Sequence, residues 1–193
     1  GQRFSRGTRS EGGAALYSPA PDIQSPQFKE FFGDWKNSPA SASKVVDPQG
    51  KPMMVLHGTK WDFPTISINP RKGAAFFSTN NEIAKMMAEG PAKMHDVPRE
   101  FKSATNKPRV IRAYLNLRNP FDHTNPEHMA LLRQHGPRLA EITFEMTQRG
   151  SWLGIEKPGT VAAMQRAGFD GFLIREADKK MGQHQNYAVF STD

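Results

Sequence analysis

The residues of this 193-residue chain best suited to chemistry lie in three short apolar segments. His57-Gly58-Thr59 follows one apolar run, Phe76-Phe77-Ser78 ends a second, and Asn186 opens a third near the end of the sequence. A histidine ring and a carboxamide exchange hydrogen bonds with a polar ligand, glycine lets a ligand approach the backbone, and an aromatic ring offers a flat face. Together these residue types predict a site for a ligand that combines a flat ring with hydrogen-bonding groups.

Short strands and capped helices must position these residues. The pattern predicts a hairpin of strands 44–46 and 53–56 around Asp47-Pro48-Gln49-Gly50, which places His57 at the end of a buried strand. Helices are predicted to begin near Ser25, which precedes an aromatic stripe, and near residues 80, 125, 137 and 158. Further strands are predicted at 74–78, 110–117, 172–174 and 186–191. The sum is an α+β domain in which helices surround short strands of split sheets.

The composition predicts one domain over residues 21–193. Residues 1–20 are rich in Gly, Ser, Arg and Ala without periodicity, so we expect a disordered linker to an upstream region. They lack an apolar core, and no apolar run approaches the roughly 20 residues that cross a membrane, so neither a signal peptide nor a membrane partner is expected. Cysteine is absent, which excludes disulfides and a thiol nucleophile and fits a reducing cytoplasm. We expect a cytoplasmic monomer.

The chain carries a net charge of +7. A basic surface attracts anionic partners such as nucleic acid or a dinucleotide. Solubility explains the charge equally well, because no block of five or six like charges marks a nucleic-acid arm. The histidines show no metal-ligand spacing, so no metal site is predicted. Neither a P-loop nor the glycine fingerprint of a Rossmann fold occurs in the sequence.

Seven short motifs follow one another between residues 25 and 191: Phe32-Gly33-Asp34-Trp35, the 44–52 hairpin, His57-Gly58-Thr59, Phe76-Phe77-Ser78, the segment 114–120, Gly168-Phe169-Asp170-Gly171, and the segment 187–190. In this order they resemble the ADP-ribosyltransferases of the diphtheria-toxin and poly(ADP-ribose) polymerase type. The resemblance is closer to the C-terminal domains of phage polyvalent proteins and bacterial polymorphic toxins. It implies a split β-sheet core with peripheral helices and a cleft that binds NAD as substrate.

The resemblance also assigns roles to the His-Gly-Thr motif. His57 would hydrogen-bond the ribose hydroxyls of NAD, Gly58 would pair through its backbone with the nicotinamide carboxamide, and Thr59 would support the same turn. Considered without the other motifs, His57 is better explained as a histidine whose hydrogen bonds are satisfied at a strand end.

Phe76 stands where the family often has a tyrosine that packs on nicotinamide, and Ser78 would bond a ribose or the carboxamide. Met87 stands where the family usually has a second aromatic residue, and packing in the core is the favoured explanation for it. Core packing is also the alternative explanation for Phe76. The implied NAD-binding residues are His57, Gly58, Thr59, Phe76, Phe77, Ser78 and Met87, and the implied catalytic residues are His57, Phe76 and Asn186.

Asn186 is the main departure from the family pattern. The last strand of classical members opens with a glutamate that stabilises the ribosyl cation formed when nicotinamide leaves, and that orients the acceptor. An amide exchanges hydrogen bonds but brings no charge. Either this branch works with an amide or the change inactivates the protein. Glu176 and Asp178 could supply a carboxylate, but their setting in the sequence favours exposed loop charges.

The resemblance implies a mono-ADP-ribosyltransferase, acting as a bacterial or prophage toxin or effector inside a target bacterial cell, with a cognate immunity or inhibitor protein as a partner. The alternatives are an NAD glycohydrolase and a catalytically degenerate module that binds NAD or nucleic acid. We expect a protein acceptor rather than RNA or DNA, because the basic residues are dispersed and no aromatic–basic ladder for stacking bases occurs. Residues 91–108 and 177–185 are predicted to be the loops that select it.

Overall fold

The computed structural model describes residues 21–62, 65–69, 72–90, 105–148, 154–178 and 182–192. These residues form one mixed sheet of six strands with five helices around it. The strands are β1 (Val55–Trp61), β2 (Ala75–Ser78), β3 (Asn106–Ala113), β4 (Pro120–Asp122), β5 (Gly171–Asp178) and β6 (Gly182–Val189). The helices are α1 (Pro26–Phe32), α2 (Asn81–Glu89), α3 (Pro126–His135), α4 (Pro137–Gln148) and α5 (Pro158–Arg166). None of them is both long enough and apolar enough to cross a membrane.

The sheet is divided between β1 and β2. The strand order is β3-β1-β2-β6-β5-β4, and every pair is antiparallel except β4–β5. Strands β1 and β3 pair along most of β1, and β2 pairs with β6 over its whole length. In contrast, β1 and β2 share the single register pair Leu56–Ser78. The two halves therefore diverge on either side of one contact, and the predicted α+β fold with a split sheet is confirmed.

Apolar side chains cover both faces of the second half of the sheet. Successive strand residues point to opposite faces of a sheet. On one face, Phe76 and Phe172 pack with buried residues of α3, α4 and α5. Phe77, the next residue of β2, and its register partner Tyr187 on β6 pack in the other cluster with Val45. Strand β2 thus lies in the middle of the molecule, between two apolar clusters.

Two of the motifs seen in the sequence hold each other in place. The carboxylate of Asp170 accepts hydrogen bonds from the backbone N–H groups of Arg118 at 2.6 Å and Asn119 at 3.0 Å. Asn119 in turn donates from Nδ2 to the carbonyl oxygen of Gly168 at 2.9 Å. A Cβ at Gly171 would lie 2.1 Å from the carbonyl oxygen of Ala188, so β5 can approach β6 only because this residue is glycine. The residue types of these two motifs therefore have structural roles that require no ligand.

The helix starts in the structure agree with the predicted ones, because the capping residues that predict them lie within a few residues of each start. The hydroxyl oxygen of Ser25 accepts a hydrogen bond from the N–H of Phe28 at 3.2 Å, and the side-chain oxygen of Asn80 accepts from Glu82 at 2.8 Å and from Ile83 at 3.3 Å. Helix α1 ends at Phe32, so the aromatic stripe does not continue as a helix to Trp35.

Several predicted strand bounds are wrong. The strand predicted at 44–46 is reduced to the isolated bridge Val46–Pro52, and β4 was not predicted. Strand β3 begins at Asn106, within the predicted loop 91–108, and the rest of that loop lies mainly outside the described residues, as does the expected linker 1–20. The predicted loop 177–185 consists, where described, of the end of β5 and the start of β6. These stretches are polar and lack the alternation of apolar residues from which a strand is predicted. Pairing with a neighbouring strand stabilises them instead.

Replacing Asp170 by alanine should lower the free energy of unfolding by about 2 kcal/mol, because the variant loses hydrogen bonds from two backbone N–H groups to a charged acceptor. Urea unfolding of both proteins measures the change. Glu145→Ala, which removes an exposed carboxylate from α4, is the control and should stay within about 0.5 kcal/mol of the parent. Equal losses in the two variants would contradict the proposed structural role of Asp170.

Candidate functional site

His57 bridges the two halves of the sheet. The Nδ1 atom of its ring lies 2.7 Å from the backbone carbonyl oxygen of Phe76 on β2. Because a carbonyl only accepts, Nδ1 carries the proton and donates it, and Nε2 of the neutral ring then has the lone pair. The side chain thereby provides a link between β1 and β2 outside their single register pair.

The surroundings of His57 keep its ring neutral. Burial lowers the pKa of His57 below its ordinary value of 6.5, and the charge of Arg109 acts in the same direction, although the hydrogen bond to Phe76 opposes them. The ring also lies 5.3 Å from the ring of Phe77, centroid to centroid. No hydrogen bond joins Nε2 to any residue that the structure describes. Nδ1 therefore has a structural role, and Nε2 is an acceptor suited to a ligand hydroxyl.

Gly58 and Thr59 lie inside β1, which continues past the predicted strand end as far as Trp61. A Cβ at Gly58 would lie 1.9 Å from the carbonyl oxygen of Ala84, so glycine is required for α2 to pack against β1. This contact accounts for the glycine without a ligand. Thr59 accepts a hydrogen bond from the N–H of Trp61 at 3.2 Å, at the point where the register with β3 shifts. Thr59 thus stabilises an irregularity in the strand.

Phe76 and Phe77 have different surroundings because they point to opposite faces of β2. The ring of Phe76 is half-buried, lies 6.0 Å from the ring of Phe172, and has the ammonium group of Lys72 4.8 Å from its centroid. Lys72 also forms an ion pair with Glu156. Phe77 is buried in the core beneath His57. Phe76 is therefore the residue with a ring face that a ligand can use, whereas Phe77 positions His57.

Ser78 and Asn186 are register partners on β2 and β6. Ser78 is buried, and its hydroxyl oxygen accepts a hydrogen bond from the N–H of Asn80 at 3.0 Å, at the start of α2. The Oδ1 atom of Asn186 is buried and has no hydrogen-bond partner. A buried acceptor without a donor costs about 1–3 kcal/mol, so this oxygen is a point at which a ligand donor would stabilise the molecule.

The sequence offered Glu176 as a possible carboxylate but did not reveal its contact with Asn186. Asn186 donates from Nδ2 to Oε2 of Glu176 at 2.6 Å, and the same oxygen contacts Nε2 of His184, the register partner of Glu176 on β6. The Glu176 side chain is 13% exposed and that of His184 is 3% exposed. The interpretation of Glu176 and Asp178 as loop charges is wrong, because β5 extends through both residues. The spacing of two between Phe172, Ile174 and Glu176 was the signal in the sequence that could have indicated a strand as far as Glu176.

Met87 lies apart from this group. Its side chain is 53% exposed on α2, so the expectation that it packs in the core is wrong. The helix instead buries Ala84 and Ala88, the small residues that let it lie close to Gly58.

The register places Phe76, Ser78 and Asn186 on one face of the sheet, with Glu176 one strand further along. His57 hydrogen-bonds the backbone carbonyl of Phe76, while its ring packs beside Phe77, whose side chain points to the opposite face of β2. Among the described residues, no three His, Asp or Glu side chains are grouped so as to hold a metal ion.

A family model described as ADP-ribosyltransferase in polyvalent proteins matches residues 47–193. The match begins at the turn before β1 and includes all six strands and the helices from α2 onward. It confirms the resemblance that the seven motifs indicated. Comparison with curated proteins finds no match, and comparison with solved structures finds none either.

The free energy of unfolding should fall as the pH falls below about 6.5, because the unfolded chain then binds a proton that the buried His57 ring resists. The contribution of His57 to the free energy of unfolding is fully present above the pKa of this residue in the unfolded chain. It is lost as the pH falls toward the lower pKa of the folded state. His57→Asn keeps an N–H donor near the position of Nδ1 but does not titrate, so it should reduce the slope. Denaturant unfolding between about pH 7.5 and about pH 5 measures it.

The comparison must be between the two proteins, because burial also lowers the pKa of His128 and gives a slope of the same sign. Identical slopes in the parent and His57→Asn would show that His57 does not have the lowered pKa assigned to it.

Proposed function

We propose that this chain, which belongs to the ADP-ribosyltransferases found in polyvalent proteins, cleaves the nicotinamide–ribose bond of NAD and transfers a single ADP-ribose to a macromolecule. The observation that carries the proposal is the buried, unpartnered Oδ1 of Asn186 on the sheet face that also bears Phe76. A polar group left in this state beside an aromatic ring suits a ligand that combines a flat ring with hydrogen-bond donors.

The hydrogen-bonding groups of the site are complementary to NAD. Nε2 of His57 is an acceptor for a ribose hydroxyl, and Oδ1 of Asn186 is an acceptor for a second hydroxyl or for the carboxamide N–H groups. The hydroxyl oxygen of Ser78 already accepts from Asn80, but its hydrogen can be donated to the carboxamide oxygen.

The ring of Phe76 suits the charge of nicotinamide as well as its shape. The nicotinamide ring of NAD is cationic, and an aromatic face attracts cations. The ammonium group of Lys72 already lies over this ring, which means that the face is one a cation can reach. In our proposal nicotinamide replaces Lys72 there, and Glu156 retains the lysine as its ion-pair partner.

The reaction breaks the bond between C1′ of the ribose and the nicotinamide nitrogen. The bonding electron pair leaves with nicotinamide, which becomes neutral, and positive charge develops on the ribose. The acceptor nucleophile then bonds to C1′ and loses its proton. Fixed polar groups directed at the developing charge lower the barrier, because they do not reorganise during the reaction.

The biological setting is part of the same proposal. A bacterial or prophage toxin or effector that acts in the cytoplasm of a target cell needs a cognate immunity or inhibitor protein in the cell that makes it. We propose a monomer that modifies a protein, since the basic residues responsible for the +7 charge are dispersed along the sequence.

NAD at about 100 times its Kd should stabilise the folded protein by about 2.7 kcal/mol, because it binds the folded state. His57→Asn should weaken this effect, since the variant keeps a donor for Phe76 but loses the acceptor at Nε2. The NAD-dependent shift in Tm measures both, and Lys85→Ala, at an exposed position of α2, is the control. An unchanged shift in His57→Asn would exclude a ribose contact by His57, and no shift in the parent would contradict the NAD site.

Incubation of the protein with NAD labelled in its adenosine part and a bacterial lysate identifies the acceptor. We expect label in a macromolecule that survives nuclease and is lost after protease. Label that survives protease and is lost after nuclease would overturn the protein acceptor in favour of nucleic acid, whose binding weakens steeply with salt. Free ADP-ribose as the only product would indicate an NAD glycohydrolase. Binding without any product would indicate a degenerate module, the candidate that the uncharged Asn186 favours.

A further inference from the structure

We infer that Glu176 on β5, rather than a residue of the last strand, supplies the carboxylate that stabilises the ribosyl cation. The inference rests on the proposed function. It assigns the missing charge to a residue outside the seven motifs, which the sequence offered as one of two alternative carboxylates and which the structure places in contact with Asn186.

The register of three strands places Glu176 beside the candidate site. Ser78 on β2, Asn186 on β6 and Ile174 on β5 form one row across the sheet. His184 and Glu176 form the next row, two residues along the strands. Because side chains alternate between faces with a period of two, both rows lie on the face that bears Phe76. The carboxylate thus lies one strand away from the position at which classical members carry theirs.

Hydrogen bonds fix one oxygen of this carboxylate and leave the other for a ligand. Oε2 accepts from Nδ2 of Asn186 at 2.6 Å and also contacts Nε2 of His184. Among the described residues, no hydrogen bond is made to Oε1. The Glu176 side chain keeps 13% of its surface exposed, so it is not fully enclosed.

His184 holds one oxygen of the carboxylate in place. Its Nδ1 lies 3.1 Å from the carbonyl oxygen of Gly182, and its Nε2 contacts the carboxylate of Glu176. Both ring nitrogens of His184 therefore lie next to oxygen atoms. A charge-assisted hydrogen bond to a buried ring fixes the position of the carboxylate more firmly than solvent would.

Asn186 has a different role in this arrangement from that of the glutamate it replaces. Its Nδ2 orients Glu176, and its buried Oδ1 has no partner. A network with a purely structural role satisfies all its members, because a partly satisfied buried network is costly. Oδ1 of Asn186 has no partner, and Oε1 of the neighbouring Glu176 accepts no hydrogen bond from the described residues. We therefore expect both oxygens to bind the same ligand. Asn186 and His184 are positioning residues in this account.

The chemical step follows from this geometry. As the C1′–nitrogen bond of NAD breaks and nicotinamide leaves with the electron pair, Glu176 opposes the positive charge that develops on the ribose. When the nucleophile bonds to C1′, its proton passes to Oε1 of Glu176 and then to water. The products are nicotinamide, the ADP-ribosylated acceptor and one proton.

The test is the steady-state rate of nicotinamide release by the parent, by Glu176→Gln and by Glu145→Gln, with NAD binding followed in parallel by the shift in Tm. Glutamine keeps the size of the side chain and an oxygen for Asn186. We expect kcat of Glu176→Gln to fall about 100-fold or more while KM and the NAD-dependent shift stay within about twofold. Glu145→Gln removes an exposed carboxylate of α4 and should match the parent.

A kcat of Glu176→Gln within about threefold of the parent would overturn the inference and leave the proposed function intact. Loss of NAD binding in parallel with kcat would also overturn it, because it would show a structural role. If Glu176→Gln does not fold, Glu176→Asp decides: it keeps the charge, shortens the side chain by one carbon, and should lower kcat without raising KM. Absence of nicotinamide release by the parent would contradict the proposed function itself, and the inference would fall with it.

Discussion

The hydrogen bond from Nδ1 of His57 to the carbonyl of Phe76 is the interaction on which the candidate site depends. Strands β1 and β2 share one register pair, so their facing edges would otherwise leave polar backbone groups without partners where the strands diverge. A side chain that supplies the missing donor keeps the halves of the sheet together. The same bond fixes the tautomer of the ring and so determines that Nε2 is an acceptor.

Strand β2 transmits this constraint to the rest of the site. One of its edges is held by His57 and the other by β6, and its alternation directs Phe77 into the core and Phe76 to the face opposite. Ser78 ends the strand and holds the first turn into α2. On the far side of β6, the contact between Asn186 and Glu176 extends the same face to β5. The charge that the last strand lacks is thus present one strand away.

The local parts of this fold could be predicted from the sequence, and the tertiary parts could not. Ser25 and Asn80 cap their helices because the signal lies within three residues of each cap. Motif order was enough to indicate the family and the split sheet. The packing role of Gly58 could not be predicted, because the atom that a Cβ there would meet belongs to Ala84, a neighbour that no spacing reveals. The prediction that Glu176 lies in a loop is wrong, because the end of β5 is polar and gains its order by pairing with β6.

Long-range ¹H–¹⁵N NMR spectra of the histidine rings test the central claim most directly, with His57→Asn used to assign the signals. At neutral pH the ring of His57 should be neutral, with a proton on Nδ1 and none on Nε2, and the Nε2 resonance should move when NAD is added. A ring protonated on Nε2 alone would contradict the bridge between the two halves of the sheet, because Nδ1 would then have no proton to donate to the carbonyl of Phe76. It would also contradict the use of Nε2 as the acceptor for NAD.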